Sequence, residues 1–179
     1  KCWGGGASGQ LGNSVGADST TAVAVTGFAT GAQAIFAGTS HTCAVLNGGA
    51  QCWGLNGNGQ LGNNSITTSN FPVAVSSLTT GVQSITAGDL HSCAIVNGAA
   101  KCWGNNASGR LGDGTVTESH IPVAVSGLTA GVQIIAAGFS HSCAIINGGA
   151  QCWGDNGGNG QLGNGSVSPS STPVGVTGL

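Results

Sequence analysis

Cysteines are the residues of this sequence whose spacing most directly suggests chemistry. Six of the seven form pairs nine positions apart: Cys43/Cys52, Cys93/Cys102 and Cys143/Cys152. Each pair flanks an Asn-Gly dipeptide, which is the sequence most typical of a two-residue type I′ hairpin turn. With Asn47-Gly48 as the turn, Cys43 lies directly opposite Cys52 in a non-hydrogen-bonded pair, where Cα atoms are about 4.5 Å apart. That separation suits a disulfide, and the same register holds in the other two hairpins.

Two other interpretations of these cysteines stay open at this level. They could be reduced, buried side chains that behave as small hydrophobes. They could also bind zinc, although paired zinc thiolates are usually closer in sequence than these. Because disulfides persist in oxidising compartments, the disulfide interpretation predicts a secreted or cell-surface protein. Cys2 is the odd cysteine, and the nine-position spacing would place its partner upstream of Lys1.

Histidines recur at one position of the sequence, as His41, His91 and His141. Two of them follow a serine, which suggests a nucleophile beside its base. Adjacent strand residues point to opposite faces, so we reject this catalytic interpretation and predict neither enzyme activity nor a cofactor. A metal site would require the three imidazoles to lie within about 2.1 Å of one ion, and neighbouring units hold them too far apart. We therefore predict structural histidines that hydrogen-bond backbone between units, and a solvated loop position for His120.

These residues are positioned by an internal repeat of 50 residues. Cys2, Cys52, Cys102 and Cys152 each begin a Cys-Trp-Gly triplet, and 30 of 50 positions are identical between 52–101 and 102–151. No stretch has the period of an amphipathic helix. We expect four short strands per unit, such as 132–136, 142–146 and 150–153, with 123–125 as the last strand of the preceding unit. Pro72, Pro122 and Pro173 suit the start of an edge strand.

The tryptophans Trp3, Trp53, Trp103 and Trp153 follow the cysteines directly. They therefore point to the opposite face of the same strand. We predict that they pack as wedges between neighbouring units. The alternative is a stacking platform for sugars or bases, which would require the indoles to be exposed.

Charge is scarce, because three basic and five acidic residues make up 4% of the 179 residues. Nucleic-acid binding depends on several Lys or Arg side chains that neutralise phosphates, so we predict no nucleic-acid partner. No apolar run approaches the roughly 20 residues of a membrane-spanning helix, and we predict no membrane insertion.

The motif Cys-Trp-Gly-X-Asn-X-X-Gly-Gln-Leu-Gly, followed by Pro-Val-X-Val and Ile-X-Ala-Gly-X-X-His-Ser-Cys-Ala, resembles the regulator of chromosome condensation repeat. The resemblance implies an all-β fold, a seven-bladed β-propeller with four-stranded blades. About 3.5 blades are then present: a half blade (1–31) and three blades (32–80, 81–130 and 131–179). The half blade lacks its two inner strands. We therefore expect the chain to be part of a longer protein, or to need missing blades or further copies to close the ring.

The segments that vary most between units are 63–71, 113–121 and 164–172, which we call the rim loops. Loops on a rigid scaffold commonly carry binding residues. The candidate binding residues are Asn64, Ile66, Thr68, Thr115, Thr117, Glu118, Ser166 and Ser168.

We predict a non-catalytic secreted or cell-surface scaffold that binds another protein. One alternative is a structural subunit that self-associates into an extracellular fibre or layer, since few charges oppose stacking. A second, implied by the family resemblance, is guanine-nucleotide exchange on a small GTPase, for which five scattered acids offer little surface.

Overall fold

The computed structural model describes residues 1–178, and every regular element in them is a β-strand. Leu179, the last residue of the predicted segment 131–179, lies outside the described residues. The strands form one two-stranded and three four-stranded antiparallel sheets. They are β1 (Cys2–Gly4), β2 (Ser19–Val23), β3 (Ala32–Ala37), β4 (His41–Leu46), β5 (Gly49–Gly54), β6 (Ser69–Ala74), β7 (Val82–Ala87), β8 (His91–Val96), β9 (Ala99–Gly104), β10 (Ser119–Ala124), β11 (Val132–Ala137), β12 (His141–Ile146), β13 (Gly149–Gly154) and β14 (Ser170–Gly175).

The four-stranded sheets are the blades of a propeller, each running in sequence order from an inner to an outer strand. The inner strand β7 packs against β3 and β4, and β11 packs against β7 and β8, so successive blades lie face to face. Near the axis a Cβ on Gly88 would lie 2.6 Å from the carbonyl oxygen of Gly138. This close approach leaves no room for a side chain at Gly88, directly after the inner strand β7.

The Asn-Gly turns set the register of the central hairpin in every blade. Asn47 and Gly48 have φ of 50° and 78°, the left-handed conformation that a type I′ turn requires. Cys43 faces Cys52 across β4 and β5, and the pairs in the other two blades have the same register. The three predicted disulfides are confirmed, with Cα separations of 4.1, 4.0 and 4.0 Å.

The outer strands begin earlier than predicted. Pro72, Pro122 and Pro173 are the fourth residues of β6, β10 and β14 rather than their start. The structure accommodates a proline there because an outer strand pairs on one side only. In addition, the register of each outer strand shifts between its first residue and the residue after the proline.

The hydrophobic core lies between blades rather than inside any one of them. One cluster joins Leu61 and Leu78 of the first complete blade to Ile85 and Trp103 of the next, and a second repeats the pattern one blade further on. Each blade therefore depends on its neighbour to bury its apolar faces. Among residues 1–178, no helix is long and apolar enough to cross a membrane.

Candidate binding rim

Buried asparagines fix the rim loops on the blades. Asn56 has no exposed surface, and its Nδ2 donates to the carbonyl oxygens of Ser65 and Thr67 at 2.9 and 3.0 Å. Its Oδ1 accepts the backbone N–H of Leu61 at 2.9 Å. One side chain thus satisfies several backbone groups of a long loop, which would otherwise be costly to bury.

The same asparagine recurs in the next two units as Asn106 and Asn156, both fully buried. In the first unit Gly6 stands at this position, and its N–H donates to Asp18 Oδ1 at 2.9 Å. Sequence reasoning missed this role, although an asparagine four positions after Cys52, Cys102 and Cys152 was a visible signal. Asn106 also begins an Asn-X-Ser sequon, and its burial keeps it from acting as a glycan acceptor in the folded chain.

All eight candidate binding residues are exposed: Asn64, Ile66, Thr68, Thr115, Thr117, Glu118, Ser166 and Ser168. The structure adds a feature that sequence reasoning missed, which is an exposed branched apolar side chain at the fourth position of every rim loop; Phe71 and Ile121, at the ends of two of the loops, are exposed as well. Ile66, Val116 and Val167 are 58%, 64% and 60% exposed, and only Ile66 was among the candidates. The rim loops therefore present mainly polar groups around exposed apolar residues, on a backbone held by a buried asparagine.

Glu118 is the charged residue among these candidates, and it contacts a neighbouring unit. Its Oε1 lies 3.2 Å from His120 Nε2, and its Oε2 accepts Asn58 Nδ2 at 3.4 Å. His120 is on strand β10 and half-buried, not in a solvated loop as predicted. Its ring lies over Gly59 of the preceding unit, so the Glu118–His120 pair lies at the contact between adjacent blades.

Two of the three recurring histidines, His41 and His91, also connect blades. His41 Nε2 lies 2.8 Å from Ser92 Oγ of the next blade, and the Ser92 hydroxyl donates to the carbonyl oxygen of Gln60 at 2.9 Å. Since that hydroxyl has a single hydrogen, His41 must be the donor through Nε2–H. The bond joins blades as expected, but the partner is a hydroxyl rather than backbone. His91 repeats the arrangement with Ser142 at 2.9 Å.

Burial keeps these imidazoles neutral. The pKa of His41 is lowered to about 4 by burial. The pKa of His91 is lowered to about 3, mainly by burial and further by the charges of Arg110, His41 and His141. Neither histidine has exposed surface, and neither do their partners Ser92 and Ser142. These His-Ser pairs therefore cannot reach a substrate. Within residues 1–178 there is no cluster of His, Cys, Asp or Glu suited to a metal ion.

Three tryptophans pack between blades, whereas the first does not. Trp53, Trp103 and Trp153 are fully buried, while Trp3 is 67% exposed. Each buried indole lies against the loop of the preceding unit, as in the hydrogen bond from Trp103 Nε1 to Gln60 O. Trp3 departs from the prediction because no unit precedes it among residues 1–178 to cover its face.

Comparison with known proteins places these features in context. A family model described as the regulator of chromosome condensation (RCC1) repeat matches residues 47–95 and 97–145, which together make up more than half of the chain. A second model of the same repeat matches residues 32–60. A search of curated proteins finds no significant match.

Solved structures with the same fold cover nearly the whole chain. Human WBSCR16 aligns with a TM-score of 0.85 and 27% identity, over 98% of this chain and 47% of that protein. Yeast RCC1 (Prp20), solved bound to Kap60, aligns with a TM-score of 0.82 and 23% identity, over 99% and 44%. Prp20p from Saccharomyces cerevisiae aligns with a TM-score of 0.76 and 22% identity, over 99% of this chain and 46% of that protein. The chain spans less than half the length of these proteins.

Proposed function

Since the chain belongs to the regulator of chromosome condensation repeat family, we propose that it is a non-catalytic scaffold that binds another protein through its rim loops. The observation that carries this proposal is the exposed branched apolar residue at the fourth position of each rim loop. Ile66, Val116 and Val167 lie on a surface that is mainly polar and has few charges, and apolar side chains within a polar rim are typical of protein contacts.

The anchoring of the rim loops supports this proposal. Because Asn56, Asn106 and Asn156 hold the loops in place, a partner meets a surface that loses little conformational freedom on binding, which favours affinity. Solved relatives give the same indication: yeast RCC1 (Prp20) has been solved bound to Kap60, and Prp20p has been studied for its binding to Gsp1p and histones. We therefore propose a protein, rather than a small molecule, as the partner.

We further propose that the protein is secreted or lies at the cell surface. The three disulfides are consistent with this location, because such bonds are rare in reducing compartments. Few charges on the rim imply that binding depends weakly on salt, unlike contacts steered by charge.

Replacing the three rim residues together (Ile66→Ser, Val116→Ser and Val167→Ser) is expected to abolish partner binding with little change in stability. The side chains are more than half exposed, so each substitution should change the free energy of unfolding by about 0.5 kcal/mol or less. Binding is measured by cross-linking and pull-down from the extracellular fluid of the source, and stability by thermal melting.

The matched control is Phe139→Ser, which removes an equally exposed apolar residue (68%) from a loop at the axis. It is expected to retain the partner. Equal capture by the rim variant and the wild type would refute binding through the rim loops.

A further inference from the structure

The hairpin turn of each four-stranded blade places an asparagine directly before a glycine. This dipeptide is chemically labile, because glycine has no side chain to shield its backbone nitrogen from the asparagine amide. Once that nitrogen has lost its proton to solvent, it can attack Cγ of the asparagine. A C–N bond forms, the bond from Cγ to Nδ2 breaks, and ammonia leaves. Water then opens the succinimide ring to aspartate or isoaspartate. Asn47 and Asn97 are both exposed to solvent.

Deamidation would alter the blade at a sensitive place. Isoaspartate adds a CH₂ group to the main chain of a two-residue turn in which Asn97 and Gly98 have φ of 50° and 80°. That turn sets the register in which Cys93 faces Cys102. Each event would also add one negative charge to a chain whose formal net charge is −2.

A glutamine of the inner strand binds the glycine nitrogen in two of these turns. The N–H of Gly98 donates to Oε1 of Gln83 at 2.6 Å, and the N–H of Gly48 donates to Oε1 of Gln33 at the same distance. Each glutamine lies in the same blade as its turn, so the bond does not depend on a neighbouring unit. The nitrogen that would attack Cγ therefore has its proton engaged by an acceptor.

The asparagine amide is held in the same two turns. A Cβ on Gly81 would collide with Oδ1 of Asn97, so the amide lies against the bare Cα of that glycine. The backbone N–H of Asn97 also donates to the carbonyl oxygen of Gly81 at 3.0 Å. Asn47 makes both contacts with Gly31. The two reacting groups are thus held by residues outside the turn.

We propose that Gln83 and Gln33 protect Asn97 and Asn47 from deamidation by binding the glycine N–H of each turn. Both glutamines are exposed, and the bond to the turn is the one side-chain hydrogen bond that each makes among residues 1–178. The third turn, at Asn147, lacks this bond among the same residues, so the proposal concerns the first two. Asn97 and Asn47 are the modification sites that open when the bond is lost.

Incubation of the purified chain at neutral pH, followed by peptide mass spectrometry of the two hairpins, tests the proposal. In Gln83→Ala we expect Asn97 to deamidate about fivefold faster than in the wild type, the factor that corresponds to one hydrogen bond of typical net strength. Asn47 should keep its wild-type rate, and Gln33→Ala should give the reverse result. Each variant therefore contains the other turn as its matched control. An unchanged rate at Asn97 in Gln83→Ala, or an equal acceleration at both turns, would overturn the proposal.

A conservative variant separates the hydrogen bond from the bulk of the side chain. Gln83→Glu keeps an oxygen that accepts the N–H of Gly98, so we expect the wild-type rate at Asn97. A rate as fast as that of Gln83→Ala would show that the acceptor does not protect the turn.

Amide hydrogen exchange separates this protection from general rigidity of the hairpin. Gln83→Ala leaves the Cys93–Cys102 disulfide and the pairing of β8 with β9 in place. We therefore expect the amides of β8 to exchange as they do in the wild type while Asn97 reacts faster. If exchange in β8 accelerates by the same factor as deamidation, loosening of the whole hairpin is the cause and the proposal is wrong.

Discussion

Replacing Trp103 by alanine is expected to lower the free energy of unfolding by about 3–5 kcal/mol, the usual cost of deleting a buried large aromatic side chain. Trp103 is fully buried and packs in a cluster with Leu61, Leu78 and Ile85. Its Nε1 also donates to Gln60 O at 2.9 Å, so truncation leaves a cavity and removes a donor from that carbonyl. Since domains of this size are commonly stable by about 5–15 kcal/mol, the loss is a large fraction of the total.

The measurement is equilibrium unfolding in guanidinium chloride with the disulfides intact, in dilute protein. Trp3→Ala provides a matched control, because the same residue type is removed from an exposed position. We expect it to change the free energy of unfolding by about 0.5 kcal/mol or less. Similar losses for the two variants would show that tryptophan burial between blades does not hold the array together.

Mild acid is expected to destabilise the protein through His41 and His91. Their pKa values in the folded chain are about 4 and about 3, whereas in the unfolded chain they return to about 6.5. Below pH 6.5 the unfolded chain therefore binds protons that the folded chain does not, which favours unfolding. The stability that the two neutral histidines contribute is fully present above pH 6.5. It is lost as the pH falls towards their pKa values in the folded chain. At about 1.4 kcal/mol per pKa unit, the loss amounts to several kcal/mol.

The physical cause is the burial of two imidazoles whose Nδ1 atoms have no hydrogen-bond partner among the described residues. Protonation would place a charge in that apolar setting, beside Arg110 in the case of His91. The test compares the wild type with the double variant His41→Gln and His91→Gln by urea unfolding between pH 7 and pH 4. Glutamine keeps an amide donor for the serine hydroxyl but does not titrate. A wild-type stability that falls no faster than that of the variant would contradict this account.

Much of the fold followed from local sequence. The Asn-Gly turn sets the hairpin register, and with it the pairing of Cys43 with Cys52, because both depend on ten consecutive residues. The prediction of four strands per blade came from the apolar segments and turns within one 50-residue unit. The predicted starts of the outer strands were less accurate, since Pro122 lies inside β10 rather than at its start.

The contacts between units were harder to predict. His41 meets Ser92, 51 residues away, and Trp103 meets Gln60, 43 residues away. Such partners depend on how one blade is rotated onto the next, which the pattern within a single unit does not specify. The role of Asn56 was missed for a related reason, because a buried asparagine that satisfies loop carbonyls has the same sequence appearance as an exposed one. The exposure of Trp3 likewise depends on a neighbouring unit rather than on its own residue type.

The central claim is that the chain is an array of blades, and that one disulfide cross-links the central hairpin of each four-stranded blade. Peptide mapping under non-reducing conditions, on protein isolated without reductant, tests this claim most directly. We expect three cross-linked hairpins, Cys43–Cys52, Cys93–Cys102 and Cys143–Cys152, with Cys2 in none of them. Disulfides that join different blades, or three pairs of free thiols, would contradict the account.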